Sequence, residues 1–118
     1  MLLGKDQILA RRSLPSEVVA VPEWEGSVRL QGLSAGEADQ FSASLVKRVG
    51  KMVEMDREHY CAKLLSRCLV SESGERLLSE ADVLVLSQQS AAPVQRLAVV
   101  AERLSGLQPG GVEDAAKN

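Results

Sequence analysis

Three residues of this chain have side chains that could act together as nucleophile, base or metal ligand: His59, Cys61 and Cys68. In a nucleophilic pair, a histidine takes the proton of a neighbouring cysteine thiol. Here His59 and Cys61 are two residues apart in a segment with helical periodicity, and side chains at that spacing point in different directions. We therefore predict no catalytic residues, and we expect His59 to be a surface or half-buried side chain.

The same three residues do not match a zinc site. Zinc takes four ligands, usually with CxxC or HxxxH spacing, and neither spacing occurs here. The two cysteines are seven residues apart on one predicted helix, which separates them by about 10 Å and places them beyond disulfide reach. We predict that both thiols stay reduced in the core, and that the protein holds no metal or other cofactor.

Residues 71–80 resemble a calcium-binding loop, because a glycine precedes a glutamate by six positions. In that alignment Leu69 takes the first ligand position and Ser71 and Ser73 take the next two, which leaves too few carboxylates for calcium. The segment is better interpreted as a turn at Gly74 followed by the start of a helix. The glycine motifs that bind phosphate are absent from the sequence.

Composition is that of one ordinary folding domain. The chain has 118 residues, of which 45% are hydrophobic, 25% are charged and only 3% are aromatic. A core of Leu, Val and Ala favours packed helices over a β-sandwich. The formal net charge of −2 is spread along the chain, which disfavours nucleic-acid binding. No apolar run is long enough to cross a membrane and no signal peptide is apparent, so we expect a cytoplasmic protein.

Residues 18–37 carry the clearest structural pattern. Val19, Val21, Val28 and Leu30 alternate on either side of the segment PEWEG, which predicts a β-hairpin with Trp24, the only tryptophan, at its turn. The S-x-x-E capping box that follows, residues 34–37, predicts the start of a helix.

The predicted helix after Ser34 has apolar residues at helical spacing: Ala38, Phe41, Leu45, Val46, Val49, Met52 and Val53. Residues 54–58 are polar all round, and the helical period resumes at Tyr60. Either one long helix or two helices occupy the segment between Ser34 and Val70, and we favour a break.

The C-terminal half predicts two further helices. Short extended pieces at residues 69–70 and 77–78 flank Gly74, a capping signal at Ser79 begins a helix to about Gln89, and Ser90 begins a last helix that ends at Gly106. The fold class is therefore α+β, mainly helical with about four helices and a small N-terminal antiparallel hairpin. We expect an arm at residues 1–17, a hairpin and helical domain at 18–107, and a flexible tail at 108–118.

Without catalytic or ligand motifs, protein binding is the favoured activity. Trp24 either covers the core as a lid or projects outward as an interface anchor. Arg29 could pair with Glu23 or Glu25 across the hairpin. The candidate partner-binding residues are Trp24, Glu23, Arg29 and Phe41.

The order of these features resembles the tail assembly chaperones of long-tailed bacteriophages and prophages. The matching motifs are V-x-V-P-E-W-x-G-x-V-R-x-Q-G-L at residues 19–33, the S-x-x-E helix with Phe41, L-V-x-x-x-G-x-R-L-L at 69–78, S-E-A-D-V at 79–83, and the closing Lys117-Asn118. They cover most of residues 18–118. The chain departs from the family in residues 71–73, where acidic residues are common, and at Leu78, where Phe is common.

The resemblance implies a small, non-enzymatic chaperone of the host bacterial cytoplasm that is absent from the mature virion. Its partners would be the tape measure protein and the major tail protein, with self-association possible. In that family a ribosomal frameshift near the end of the short product adds a C-terminal domain, and Lys117 and Asn118 are the candidate junction. The alternative is a structural tail component, a connector or completion protein, that stays in the virion.

Overall fold

The structure, a computed structural model, describes residues 1–107 and Val112. These residues form an antiparallel sheet and helices, which confirms the predicted α+β class. The elements in chain order are α1 Lys5–Leu9, β1 Ser16–Val21, a 3-10 turn Pro22–Trp24, β2 Gly26–Gln31, α2 Ala35–Ser44, β3 Val46–Val49, β4 Met52–Met55, α3 Tyr60–Cys68, β5 Leu69–Val70, a 3-10 turn Glu80–Asp82, α4 Val83–Ser87 and α5 Ala91–Leu104.

The predicted N-terminal hairpin is confirmed. Strands β1 and β2 pair in antiparallel register with Val19 opposite Val28, and Glu25 closes the turn in the left-handed conformation at φ 57°. The pairing does not stop at two strands, because β5 adds to the free edge of β2 with Leu69 opposite Leu30. The result is a three-stranded sheet in the order β1-β2-β5.

Helix α2 begins as its capping box predicts and ends earlier than its apolar stripe predicts. The Ser34 hydroxyl accepts from the Glu37 amide at 3.2 Å, and the Glu37 carboxylate accepts from the Ser34 amide at 2.9 Å. The helix ends at Ser44, so the predicted helical continuation through Val49 and Met52 is wrong.

The segment between Ser34 and Val70 contains two helices, α2 and α3, in agreement with the favoured break. A second hairpin separates them, where α2 was predicted to continue. Strands β3 and β4 pair with Val46 opposite Met55 and Val49 opposite Met52, around Gly50 at φ 63°. Apolar spacing of three and four residues matched a helix by coincidence. The residue types at these positions, β-branched valines around a glycine that supplies a positive φ, favour strands and a tight turn.

The core lies between α3, α5 and the inner face of the three-stranded sheet. Leu64 and Leu65 of α3, Leu97 of α5, and Val21 and Leu30 of the sheet are all fully buried. Helix α5 begins after Ser90, with Pro93 in its first turn, and Gly106 follows its end at φ 68°, as predicted.

The segment between β5 and α5 follows its sequence signals closely. Gly74 turns the chain at φ 89°, and Val70 forms an isolated bridge with Arg76, one residue before the predicted extended piece. The Ser79 amide then donates to the Asp82 carboxylate at 2.9 Å, which confirms the capping signal. The helix predicted to reach about Gln89 is a 3-10 turn followed by α4, which ends at Ser87.

The end of β2 passes directly over the last turn of α5. A Cβ atom placed on Gly32 would lie 2.2 Å from the Leu104 carbonyl oxygen. The Leu33 amide donates to the Ser105 hydroxyl at 3.0 Å beside that contact. Because only a glycine allows this approach, Gly32 fixes how closely the sheet packs on α5.

Both termini were predicted as peripheral segments. Helix α1, within the predicted N-terminal arm, has no buried residue. The predicted tail at 108–118, with Lys117 and Asn118, lies outside the described residues except for Val112. That residue is 5% exposed within the core, and its amide donates to the Glu102 carboxylate at 3.1 Å. The described residue of this segment is therefore packed in the core.

Candidate protein-binding surface

The turn of the first hairpin is fixed to the body of the protein. The Arg96 guanidinium on α5 donates two hydrogen bonds to the Glu23 carboxylate, at 2.9 and 2.7 Å. These bonds, together with a backbone hydrogen bond, lower the pKa of Glu23 to about 2. Glu23 thus contacts the protein's own last helix and holds the turn in place.

Trp24 lies on the core. Its side chain is half-buried and packs against the core cluster. It lines a cavity of about 300 Å³ together with Leu69, Leu78 and Leu86. Of the two interpretations that the sequence left open, this placement favours the lid.

The other two candidate contact residues are also occupied within the fold. Arg29 does not pair with Glu23 or Glu25 as suggested, because the turn faces α5; its guanidinium donates to the Ser16 hydroxyl at 3.3 Å. Phe41 is only 1% exposed. Its predicted role as a partner contact is therefore wrong for this structure, since a buried ring offers no surface to another protein.

Phe41 instead joins α2 to α3. Its ring lies 5.6 Å from the ring of Tyr60 at an angle of 58°, and the Arg67 guanidinium lies 5.9 Å from the Phe41 ring centroid. Contacts of this kind contribute packing and cation–π energy to the fold.

The second hairpin has the opposite character. All eight residues of β3 and β4 are exposed. They include five large apolar side chains with exposed fractions between 43% and 67%: Val46, Val49, Met52, Val53 and Met55. Large apolar side chains left together in water are typical of a site where another molecule binds.

The register of the hairpin distributes these side chains over both faces. Pairing of Val46 with Met55 and of Arg48 with Val53 places three apolar residues and one cation on the first face. The second face carries the pair Val49 and Met52 beside the pair Lys47 and Glu54. Each face is therefore part apolar and part charged, and neither faces the core.

A groove opens at the base of this hairpin. It has a volume of about 310 Å³. Its lining residues come from the end of α2, from α3 and the residue before it, from the second 3-10 turn and from α4: Ser44, His59, Lys63, Ser66, Arg67, Glu80, Val83 and Leu84. Leu84 is 60% exposed, and Arg67 and Glu80 form an ion pair at 3.6 Å. Ser44, at one end of this lining, lies two residues before the start of β3.

His59 makes a contact that the sequence did not indicate. Its backbone is in the left-handed conformation at φ 59°, its Nδ1 lies 2.9 Å from the Ser87 hydroxyl, and its Nε2 lies 3.4 Å from the Glu58 carboxylate. Twenty-eight residues separate His59 from Ser87, so spacing gives no signal for it. Ser87 is the last residue of the regular helix α4 and does not lie on the strained turn that presents a nucleophilic serine. The contact joins the start of α3 to the end of α4.

The two thiols are protonated at neutral pH. Burial, with the nearby Glu102 carboxylate, raises the pKa of Cys61 to about 11, and burial raises the pKa of Cys68 to about 11. Burial and the Glu102 carboxylate also raise the pKa of Tyr60, whose hydroxyl donates to Glu102 at 2.7 Å. A protonated thiol is a poor nucleophile and metal ligand.

Two further properties concern the described residues alone. Within residues 1–107 and Val112, no three His, Cys, Asp or Glu side chains are grouped so that they could hold a metal ion. None of the helices in this part of the chain combines the length and the apolar character needed to span a bilayer.

Comparison with protein-family models, curated proteins and solved structures finds no match to this chain. The geometry of the surface and the motifs of the sequence therefore carry the functional conclusion.

Proposed function

We propose that the protein is a tail assembly chaperone of a long-tailed bacteriophage or prophage. In this role it binds the tape measure protein, helps to recruit the major tail protein, and catalyses no reaction. The observation that carries the proposal is the β3–β4 hairpin, which exposes five large apolar side chains. The motifs of the two turns and of the capped helix, described above, support the same assignment.

The hairpin suits a chaperone because its apolar side chains are not used by the fold. A long unassembled protein exposes apolar segments that aggregate unless another surface covers them. Many copies of a small protein along one long partner can each bind weakly and still hold it, since the contacts add along its length. Trp24 and Glu23 support the fold in this proposal, and the hairpin takes over the contact role that the sequence assigned to them.

The proposed chaperone acts in the cytoplasm of the bacterial host and leaves before the particle is complete. A connector or completion protein would remain in the particle. Mass spectrometry of purified virions distinguishes the two, because the chaperone is expected to be absent. A frameshifted longer form would continue after Asn118, and the nucleotide sequence at Lys117 and Asn118 tests that part directly.

The experiment is co-purification of a tagged tape measure protein with three forms of this chain. The test variant, Met52→Ser with Val53→Ser, removes apolar surface from β4. The control, Val18→Ser with Val99→Ser, removes exposed apolar surface from β1 and α5, where the side chains are 57% and 51% exposed. We expect the unchanged chain and the control to co-purify with the tape measure protein. The test variant should no longer co-purify with it.

Two results would contradict the proposal. If the unchanged chain does not bind the tape measure protein, the assigned function is wrong. If all three forms bind equally, while circular dichroism shows that all are folded, the hairpin is not the contact surface.

A further inference from the structure

The exposed hairpin and its groove carry an excess of positive charge. We call residues 46–55 and the groove-lining residues together the basic hairpin surface. Its charged side chains are Lys47, Arg48, Lys51, Lys63 and Arg67 against Glu54 and Glu80, a net charge of +3. The whole chain has a formal net charge of −2, so this surface has the opposite sign from the protein that carries it.

The groove and the hairpin adjoin along the chain. Ser44 lines the groove and is the last residue of α2, and β3 begins two residues later at Val46. A backbone hydrogen bond from the Asp56 amide to the Leu45 carbonyl closes the base of the hairpin beside it. A partner lying along the groove would therefore meet the hairpin at one end.

We propose that the basic hairpin surface binds an amphipathic helix whose polar face is acidic. The groove between α3 and α4, with Leu84 at its rim, takes part of the apolar face of such a helix. Val46, Val53 and Met55, which share the first face of the hairpin with Arg48, cover more of it. Arg48 and Lys51 then lie where carboxylates of the partner pair with them. The inference rests on the proposed function and specifies the chemistry of the segment that the chaperone selects.

The test uses two labelled peptides with the same leucines at helical spacing. One has glutamate at its polar positions and the other has lysine, and fluorescence anisotropy measures their binding to the full chain. We expect the acidic peptide to bind about tenfold or more tightly than the basic one at low ionic strength. The preference should shrink as salt is added, because exposed charges are screened.

Charge-reversed variants test whether the preference for the acidic peptide comes from the basic hairpin surface. Arg48→Glu with Lys51→Glu changes the surface and leaves Lys47 opposite Glu54 across the hairpin. The matched control, Lys5→Glu with Arg12→Glu, makes the same charge change at exposed residues near the N-terminus. We expect the first variant to lose most of the preference for the acidic peptide and the control to keep it.

Equal binding of the two peptides, or a preference that survives Arg48→Glu with Lys51→Glu, would overturn this inference. Neither result affects co-purification with the tape measure protein, which tests the proposed function separately. The chain could prefer the acidic peptide through this surface and yet fail to bind the tape measure protein. In that case the inference about chemistry stands and the assigned partner is wrong.

Discussion

The protein contains two β-hairpins, one packed in the core and one exposed. The first, β1–β2, buries Val21 and Leu30, pairs along its edge with β5, and is tied to α5 by two ion pairs. These join Glu23 to Arg96 at 2.7 Å and Glu17 to Arg103 at 2.9 Å. The second, β3–β4, has no buried residue and stands as a separate two-stranded sheet.

The difference shows that strand pairing alone does not decide what a hairpin contributes. An isolated two-stranded hairpin is marginally stable in water, and burial of one face against another layer provides most of the stabilisation. The first hairpin has that second layer and therefore belongs to the core. The second lacks it, so its apolar side chains remain exposed, and the following predictions test this difference.

The largest expected effect comes from truncating a side chain in each hairpin. Leu30→Ala removes a fully buried side chain from β2 and should lower the free energy of unfolding by about 2–5 kcal/mol. Met52→Ala removes a side chain of similar size that is 67% exposed in β4, and it should change stability by no more than about 0.5 kcal/mol. Urea unfolding followed by circular dichroism measures both.

A comparable loss of stability in the two variants would contradict the distinction between a buried first hairpin and an exposed second one. It would mean that the second hairpin packs on the body in solution and is not a free surface. The proposed protein-binding surface would then lie elsewhere on the molecule.

The next largest effect is expected at the contact between the first hairpin and α5. Gly32→Ala places a methyl group 2.2 Å from the Leu104 carbonyl oxygen, so the sheet must move away from the helix. We expect a loss of about 1–3 kcal/mol in unfolding free energy. Gly36→Ala is the control, because a methyl group there meets nothing within 4 Å in α2, and it should be neutral or slightly stabilising.

If Gly32→Ala were as stable as Gly36→Ala, the close approach of β2 to α5 would not be a constraint on the fold. The same urea unfolding measurement decides between these outcomes.

Local signals in the sequence predicted the structure correctly where the contacts join residues close in sequence. The Ser34–Glu37 capping box, the turn at Gly74 and the alternating valines of the first hairpin each depend on residues close in sequence. The residues of the second hairpin were misassigned because Leu45, Val49 and Met52 have helical spacing, which outweighed the strand preference of the valines and the turn at Gly50. Residue type was the better guide there.

The candidate surface was harder to predict because it depends on which side chains remain uncovered after folding. Phe41 and Trp24 were reasonable contact candidates as rare aromatic residues, yet the core uses both. Nothing in the sequence near Glu23 indicates Arg96, which is 73 residues away. Long-range pairing of this kind comes from the topology of the fold. It fixes the first hairpin to α5, whereas the second hairpin stays exposed.

The smallest expected effect concerns the ion pair that holds the first turn. Because the pKa of Glu23 is lowered to about 2 from an ordinary value near 4.5, its contribution to stability is complete above about pH 4.5. That contribution is lost as the pH falls through about 2. The pair is exposed, so the effect should be modest and should weaken in high salt.

Trp24 follows Glu23 directly and is the only tryptophan, so its fluorescence reports on this turn. We expect the emission of the unchanged chain to shift toward that of exposed tryptophan between pH 4.5 and 2. Glu23→Gln should show part of that shift already at neutral pH, whereas Glu25→Gln, in the same turn, should behave as the unchanged chain. If all three titrate alike, Arg96 does not hold the first hairpin, and burial of Val21 and Leu30 alone separates it from the second.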